Sequence, residues 1–81
     1  MPAHAPVPPE CLKAVLERNG WQMDSEDAFN WAMEKDGKVV IVPKLGGFVA
    51  VGIIEDVLQQ AGLDNKAFHD GKEEWRRAHA Q

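Results

Sequence analysis

The sequence predicts an α+β fold: a two-layer α-β-β-β-α unit with an antiparallel three-stranded sheet and helices on one face. Three observations lead there. Two segments carry apolar residues at helical spacing, and each is closed by a glycine, Gly20 or Gly62. Between them lie short segments of alternating or continuous apolar residues, the pattern of strands. Asp36-Gly37 joins two of these strands with a hairpin-turn signature. Two helices can cover one face of such a sheet. At 81 residues the chain has room for one domain with a thin core.

Residues 1–9 contain Pro2, Pro6, Pro8 and Pro9 and read as a flexible arm that stiffens toward the first helix. The domain proper spans 10–68. Leu12, Val15 and Leu16 place a helix over about 10–19, with Asn19-Gly20 as its stop. Trp21 and Met23 begin a first strand, and Asp24-Ser25-Glu26-Asp27 forms a polar turn. Phe29, Trp31 and Met33 alternate with Ala28, Asn30 and Ala32, so the three large side chains should share one packed face. The third strand, Val39-Val40-Ile41-Val42, ends at Pro43, which has no N–H to give to a ladder. Both of its faces are apolar, an excess that the Pro-rich arm, the C-terminal segment or another chain could cover, and read as a protein interface it singles out Val40 and Val42 as partner-interface residues. A flexible loop, Lys44-Leu45-Gly46-Gly47, leads to a second helix with Ile53, Ile54, Val57, Leu58 and Ala61 on one stripe and Gly62 as its stop. Asp64 can cap a short turn that returns Phe68 to the core. Residues 69–81 read as a tail, or as a short helix of about two turns opened by Asp70 and Glu73 and packed by Trp75.

Nine Lys and Arg stand against thirteen Asp and Glu, a formal charge of −4. That argues against indiscriminate binding to phosphate backbones and leaves room for a local basic patch. The single cysteine, Cys11, excludes an internal disulfide, and the only histidines are His4, His69 and His79, a poor supply for a Cys/His metal cage. No apolar run reaches the roughly 20 residues of a membrane span, and the first residues have no signal-peptide pattern. A cytoplasmic protein is the expectation, with no membrane partner and no cofactor.

Several motifs, taken in order, resemble the HicA family of small toxins, also described as YcfA-like proteins. They are Gly20-Trp21 after the first helix, Phe29 in the second strand, Val42-Pro43-Lys44 at the end of the third, Gly52 near the second helix, and Val57-Leu58-Gln59-Gln60-Ala61-Gly62-Leu63. The likeness covers about residues 12–68. It implies a fold like the double-stranded-RNA-binding domain, metal-independent cleavage of messenger RNA by a histidine, and neutralisation by a HicB antitoxin. The family's Gly-Ser-His motif falls on Asp24, Ser25 and Glu26, so a carboxylate stands where the family has its catalytic histidine. Ile53 replaces a threonine that would cap the second helix.

A histidine with a pKa near 6.5 suits proton transfer at neutrality, whereas an exposed carboxylate is a weak base there and repels phosphate. Glu26 is the candidate replacement base and His69 a second candidate from the C-terminal segment. Ser25, Lys44, Arg76 and Arg77 are the candidate RNA contacts; such cations position a backbone without reading bases. Asp24, Glu26 and Asp27 together suggest a divalent-ion site, but their spacing fits no complete calcium loop, and a solvated turn explains them better. The resulting expectation is a HicA-like toxin–antitoxin-type domain with weakened or absent catalysis. It would act through a protein partner, either a HicB-like antitoxin or a second copy of itself, with single-stranded RNA or mRNA as a further contact. The alternative is an active metal-independent endoribonuclease with an altered site.

Overall fold

The computed structural model describes residues 5–44 and 46–80. The order of elements is α1 (Pro9–Arg18), β1 (Gln22–Glu26), β2 (Asn30–Lys35), β3 (Lys38–Pro43), α2 (Val51–Ala61) and α3 (Asn65–Ala78). The strands form one antiparallel sheet in the order β1-β2-β3. The expected α-β-β-β-α layout is present. No helix among the described residues is long and apolar enough to cross a membrane.

Burial alternates along β3 and shows which face is covered. Val40 and Val42 pair with Met33 and Trp31 of β2 and lie under the helices, whereas Val39 and Ile41 are 52% and 49% exposed on the other face. Val40 and Val42 are therefore core residues and not a partner interface, and the outward apolar pair is Val39 and Ile41. A strand apolar on both sides does not reveal which side turns inward. The hairpin does, because it sets Val40 beside Met33. That hairpin turns on Asp36 (φ 52°) and Gly37 (φ 82°), the positive-φ pair of a two-residue loop that suits strand twist.

The core joins Leu12, Val15 and Leu16 of α1 to Met33, Val40 and Val42 of the sheet. Ile54, Val57 and Leu58 of α2 and Phe68 of α3 complete it. Ile53, expected on the buried stripe, is exposed. Gly62 takes a left-handed conformation and its N–H closes α2 on Gln59 O, as its position suggested.

Three local expectations change. The N-terminal arm is not wholly loose, because Val7 is buried and bridges Val49, whose N–H donates to the Val7 carbonyl at 2.7 Å. His4 and Leu45 lie outside the described residues. Phe29 does not join Trp31 and Met33. The Asp27 carboxylate accepts the N–H groups of both Phe29 and Asn30 at 2.7 Å, which delays β2 to Asn30 and leaves Phe29 in the turn, 62% exposed. The C-terminal segment is a single fourteen-residue helix and not a tail or a two-turn helix. It starts at the cap Asp64, whose side chain accepts Ala67 N–H at 2.8 Å, and runs through Asp70 and Gly71, so a boundary at 68/69 cuts one helix. Asp70 does not cap; it pairs with Lys66 at 2.9 Å. Gly71 is buried against Val15 of α1 and permits the two helices to approach closely.

Candidate functional site

The chemistry-bearing residues of the sheet meet at the end where β1 turns into β2. Met23 faces Met33, yet Ser25 faces Ala32 and Glu26 faces Trp31, so one extra residue, Asp24, is bulged out of β1. The bulge lets Met23 and Glu26, three residues apart, lie on the same helix-side face. Ser25 falls on the opposite, open face, where it borders a shallow depression shared with Glu26, Asp27, Asn30, Ala32 and Ile41.

Lys44 follows β3, and its backbone N–H donates to Phe29 O at 2.9 Å, one rung beyond the Asn30–Pro43 pair. This rung anchors its side chain at the same corner. The ammonium donates to Glu26 Oε2 at 2.6 Å and to the Asp27 carbonyl at 2.7 Å, and it stands 5.7 Å from the centre of the Trp31 ring. Lys13 of α1 lies over the same ring at 5.2 Å. The hydrogen bond from Lys44 holds the Glu26 carboxyl below its ordinary pKa, with the charges of Lys44 and Lys13 acting in the same direction. The Phe29 and Asn30 N–H groups do the same for Asp27. Both carboxylates are thus ionised at neutral pH and less basic than free ones. An exposed pair of this kind adds little stability, so its main effect is to occupy the lysine.

The other candidates lie elsewhere. His69 borders a polar groove between the end of α1 and α3, together with Arg18, Asp70, Glu73, Glu74 and Arg77. It shares no pocket with Glu26. Arg77 donates to the Glu73 carbonyl at 3.4 Å, and Arg76 pairs with the Glu73 side chain at 3.5 Å. Arg18 bridges to Glu74 at 2.8 Å and ties the two helices together. Trp75 packs against the core and stacks on His79, the ring centres 4.3 Å apart. Cys11 is buried, and desolvation raises its thiol pKa, which keeps it protonated and unreactive. Among the described residues no group of three or more His, Cys, Asp or Glu side chains is placed to hold a metal.

Sequence reasoning therefore found Glu26 and Lys44, which do meet, and Ser25, which shares a depression with Glu26, but did not set His69, Arg76 and Arg77 apart from them. It missed Lys13 and Trp31 as members of the corner. The helical position of Lys13, on the α1 flank turned toward the sheet, was the available signal.

Fold and site together define a small α+β domain with a three-stranded sheet, helices on one face, and an acidic corner closed by a lysine. No protein-family model matches the chain, and no curated protein matches its sequence.

Proposed function

We propose that the chain is a HicA-like toxin–antitoxin-type domain that binds a protein partner and does not cleave RNA. The observation behind this reading is the Glu26–Lys44 contact of 2.6 Å. Metal-independent cleavage of RNA needs a base to take the 2′-hydroxyl proton, an acid for the leaving oxygen, and free positive charge for the phosphate. Here the position that the resemblance assigns to the base holds a carboxylate of lowered pKa. The nearest cation is already engaged by that carboxylate and by the Asp27 carbonyl. Both described histidine rings belong to the C-terminal helix and its cap.

Partner binding draws support from the rim of the same corner. Phe29, 62% exposed, accepts the Lys44 N–H with its carbonyl and so stands at that corner. An exposed aromatic side chain beside a charged pair suits a protein-binding surface more than a solvated loop. RNA remains a secondary contact, available only when Lys44 leaves Glu26.

The test is an RNA-cleavage assay with the purified full chain, single-stranded RNA and EDTA. The substrate is expected to stay intact at enzyme-to-RNA ratios near one. Metal-independent cleavage that disappears in Glu26→Gln would overturn the reading and make the corner an active site with a carboxylate base.

A further inference from the structure

Alternation along the hairpin sorts the side chains of the sheet. Trp31, Met33 and Lys35 of β2 share rows with Val42, Val40 and Lys38 of β3 on the helix side. The face away from the helices therefore carries Asn30 beside Pro43, Ala32 beside Ile41, and Glu34 beside Val39. Ser25 extends the row of Ala32 and Ile41 onto β1. This face has an apolar strip, of which Val39 and Ile41 are about half exposed, and its charges are all of one sign. Glu34 stands next to Val39 at one end. Glu26 and Asp27 border the depression beside Ile41 at the other, and both are ionised at neutral pH. The chain has nine Lys and Arg, yet none belongs to this face. Six of them lie on α1 and α3, Lys35 and Lys38 hold helix-side places, and Lys44 turns to Trp31.

We propose that the open face of the sheet docks a cationic amphipathic helix of a partner protein. Its apolar stripe would lie on Val39 and Ile41, with its Lys or Arg side chains over Glu34 and Asp27. Charge complementarity selects this occupant. A nucleic acid or an anionic membrane is repelled by the same carboxylates, and a second copy would set acid against acid. Size agrees as well. Strands of five or six residues run about 20 Å, the length of a helix of about 13 residues. Docking would put helices on both sides of the sheet, the three-layer solution for a strand such as β3 that is apolar on both faces. The contact is small and bordered by exposed charges, so binding is weak and falls with added salt. The inference rests on the protein-binding part of the function proposed above and names the partner's chemistry and its seat. Whether the chain cleaves RNA does not bear on it.

The probe is a synthetic helical peptide of about 13 residues with leucine on one stripe and lysine elsewhere, titrated into the full chain and followed by amide chemical shifts. Shifts should centre on Ala32, Glu34, Val39 and Ile41. A matched peptide with glutamate for lysine should bind at least about tenfold more weakly. Glu34→Lys should weaken the lysine peptide by about tenfold. Glu55→Lys, the same change of net charge at an exposed position of α2, should leave it within about twofold. Ile41→Ser removes apolar contact without touching charge and should weaken it by about fivefold. Equal effects of Glu34→Lys and Glu55→Lys would reduce the binding to net-charge attraction and overturn the proposal. Shifts centred on Lys44 and Phe29 would overturn this seat while leaving the protein-binding reading standing. Shifts on this face that depend on concentration without peptide would make a second copy the occupant. Binding of phosphatidylglycerol vesicles or single-stranded RNA through it would make the occupant an anion. Either result overturns the proposal, as does a chain that binds neither peptide at millimolar concentration.

Discussion

Gly71→Ala gives a stringent test of how α3 sits on α1. A Cβ built at Gly71 meets Val15 Cγ2 at 2.9 Å, Val15 Cα at 3.2 Å and Val15 Cβ at 3.3 Å. Val15 is fully buried, so its side chain has nowhere to turn, and the contact with its Cα cannot be relieved by a rotamer change. Overpacking of this kind costs about 1–3 kcal/mol, and a backbone contact belongs in the upper part of that range. Replacing a mid-helix glycine by alanine returns about 1 kcal/mol of helix propensity. The net expectation is a loss of about 1–2 kcal/mol, which for a domain of this size lowers Tm by roughly 5–15 °C. Thermal unfolding followed by circular dichroism reads it directly. Gly52→Ala is the control, since nothing lies within 4 Å of its added methyl, and it should be neutral or stabilising. In a Val15→Ala background the penalty should shrink, because the 2.9 Å contact is gone. A Gly71→Ala protein that melts at or above the parent temperature would refute the close approach of the two helices.

Two further outcomes follow from hydrogen bonds already described. Asp64→Ala removes the side-chain cap of α3 and should cost about 1 kcal/mol in urea unfolding, whereas Asp64→Asn should retain most of the stability. The carboxyls of Glu26 and Asp27 have lowered pKa values in the folded chain, so their contribution is fully present above the ordinary carboxylate value near 4 and is lost as pH falls below it through the folded values. Tm should therefore stay level from neutrality to about pH 5 and drop under pH 4, with a shallower acid drop in Asp27→Asn, which keeps the turn's acceptor but cannot titrate.

The features legible in the sequence were those set by local chemistry. Asp36-Gly37, Gly62 and Asp64 each act within a few residues of themselves, and each does in the structure what its type suggests. The rest depends on contacts distant in sequence. Gly71 resembles a helix breaker until Val15 is seen against it. The helix-side position of Glu26 follows from two constraints that disagree by one residue. The Asp27 turn fixes Glu26 opposite Trp31, the core fixes Met23 opposite Met33, and Asp24 is the remainder. No local pattern announces such a remainder. Likewise Lys13 and Trp31 meet only because α1 packs across the sheet. The site was thus half readable: Glu26 and Lys44 were named, while Lys13, the Trp31 ring beside both lysines and the face occupied by Ser25 were not.

The bulge at Asp24 keeps the outer edge of β1 from being a regular template for another strand. Deleting that residue would leave Met23 opposite Met33 and Glu26 opposite Trp31, since both are already in those places. The chain would keep its fold and its corner, but the first strand would become straight, and only its five-residue length and its acidic end would still deter a neighbouring strand.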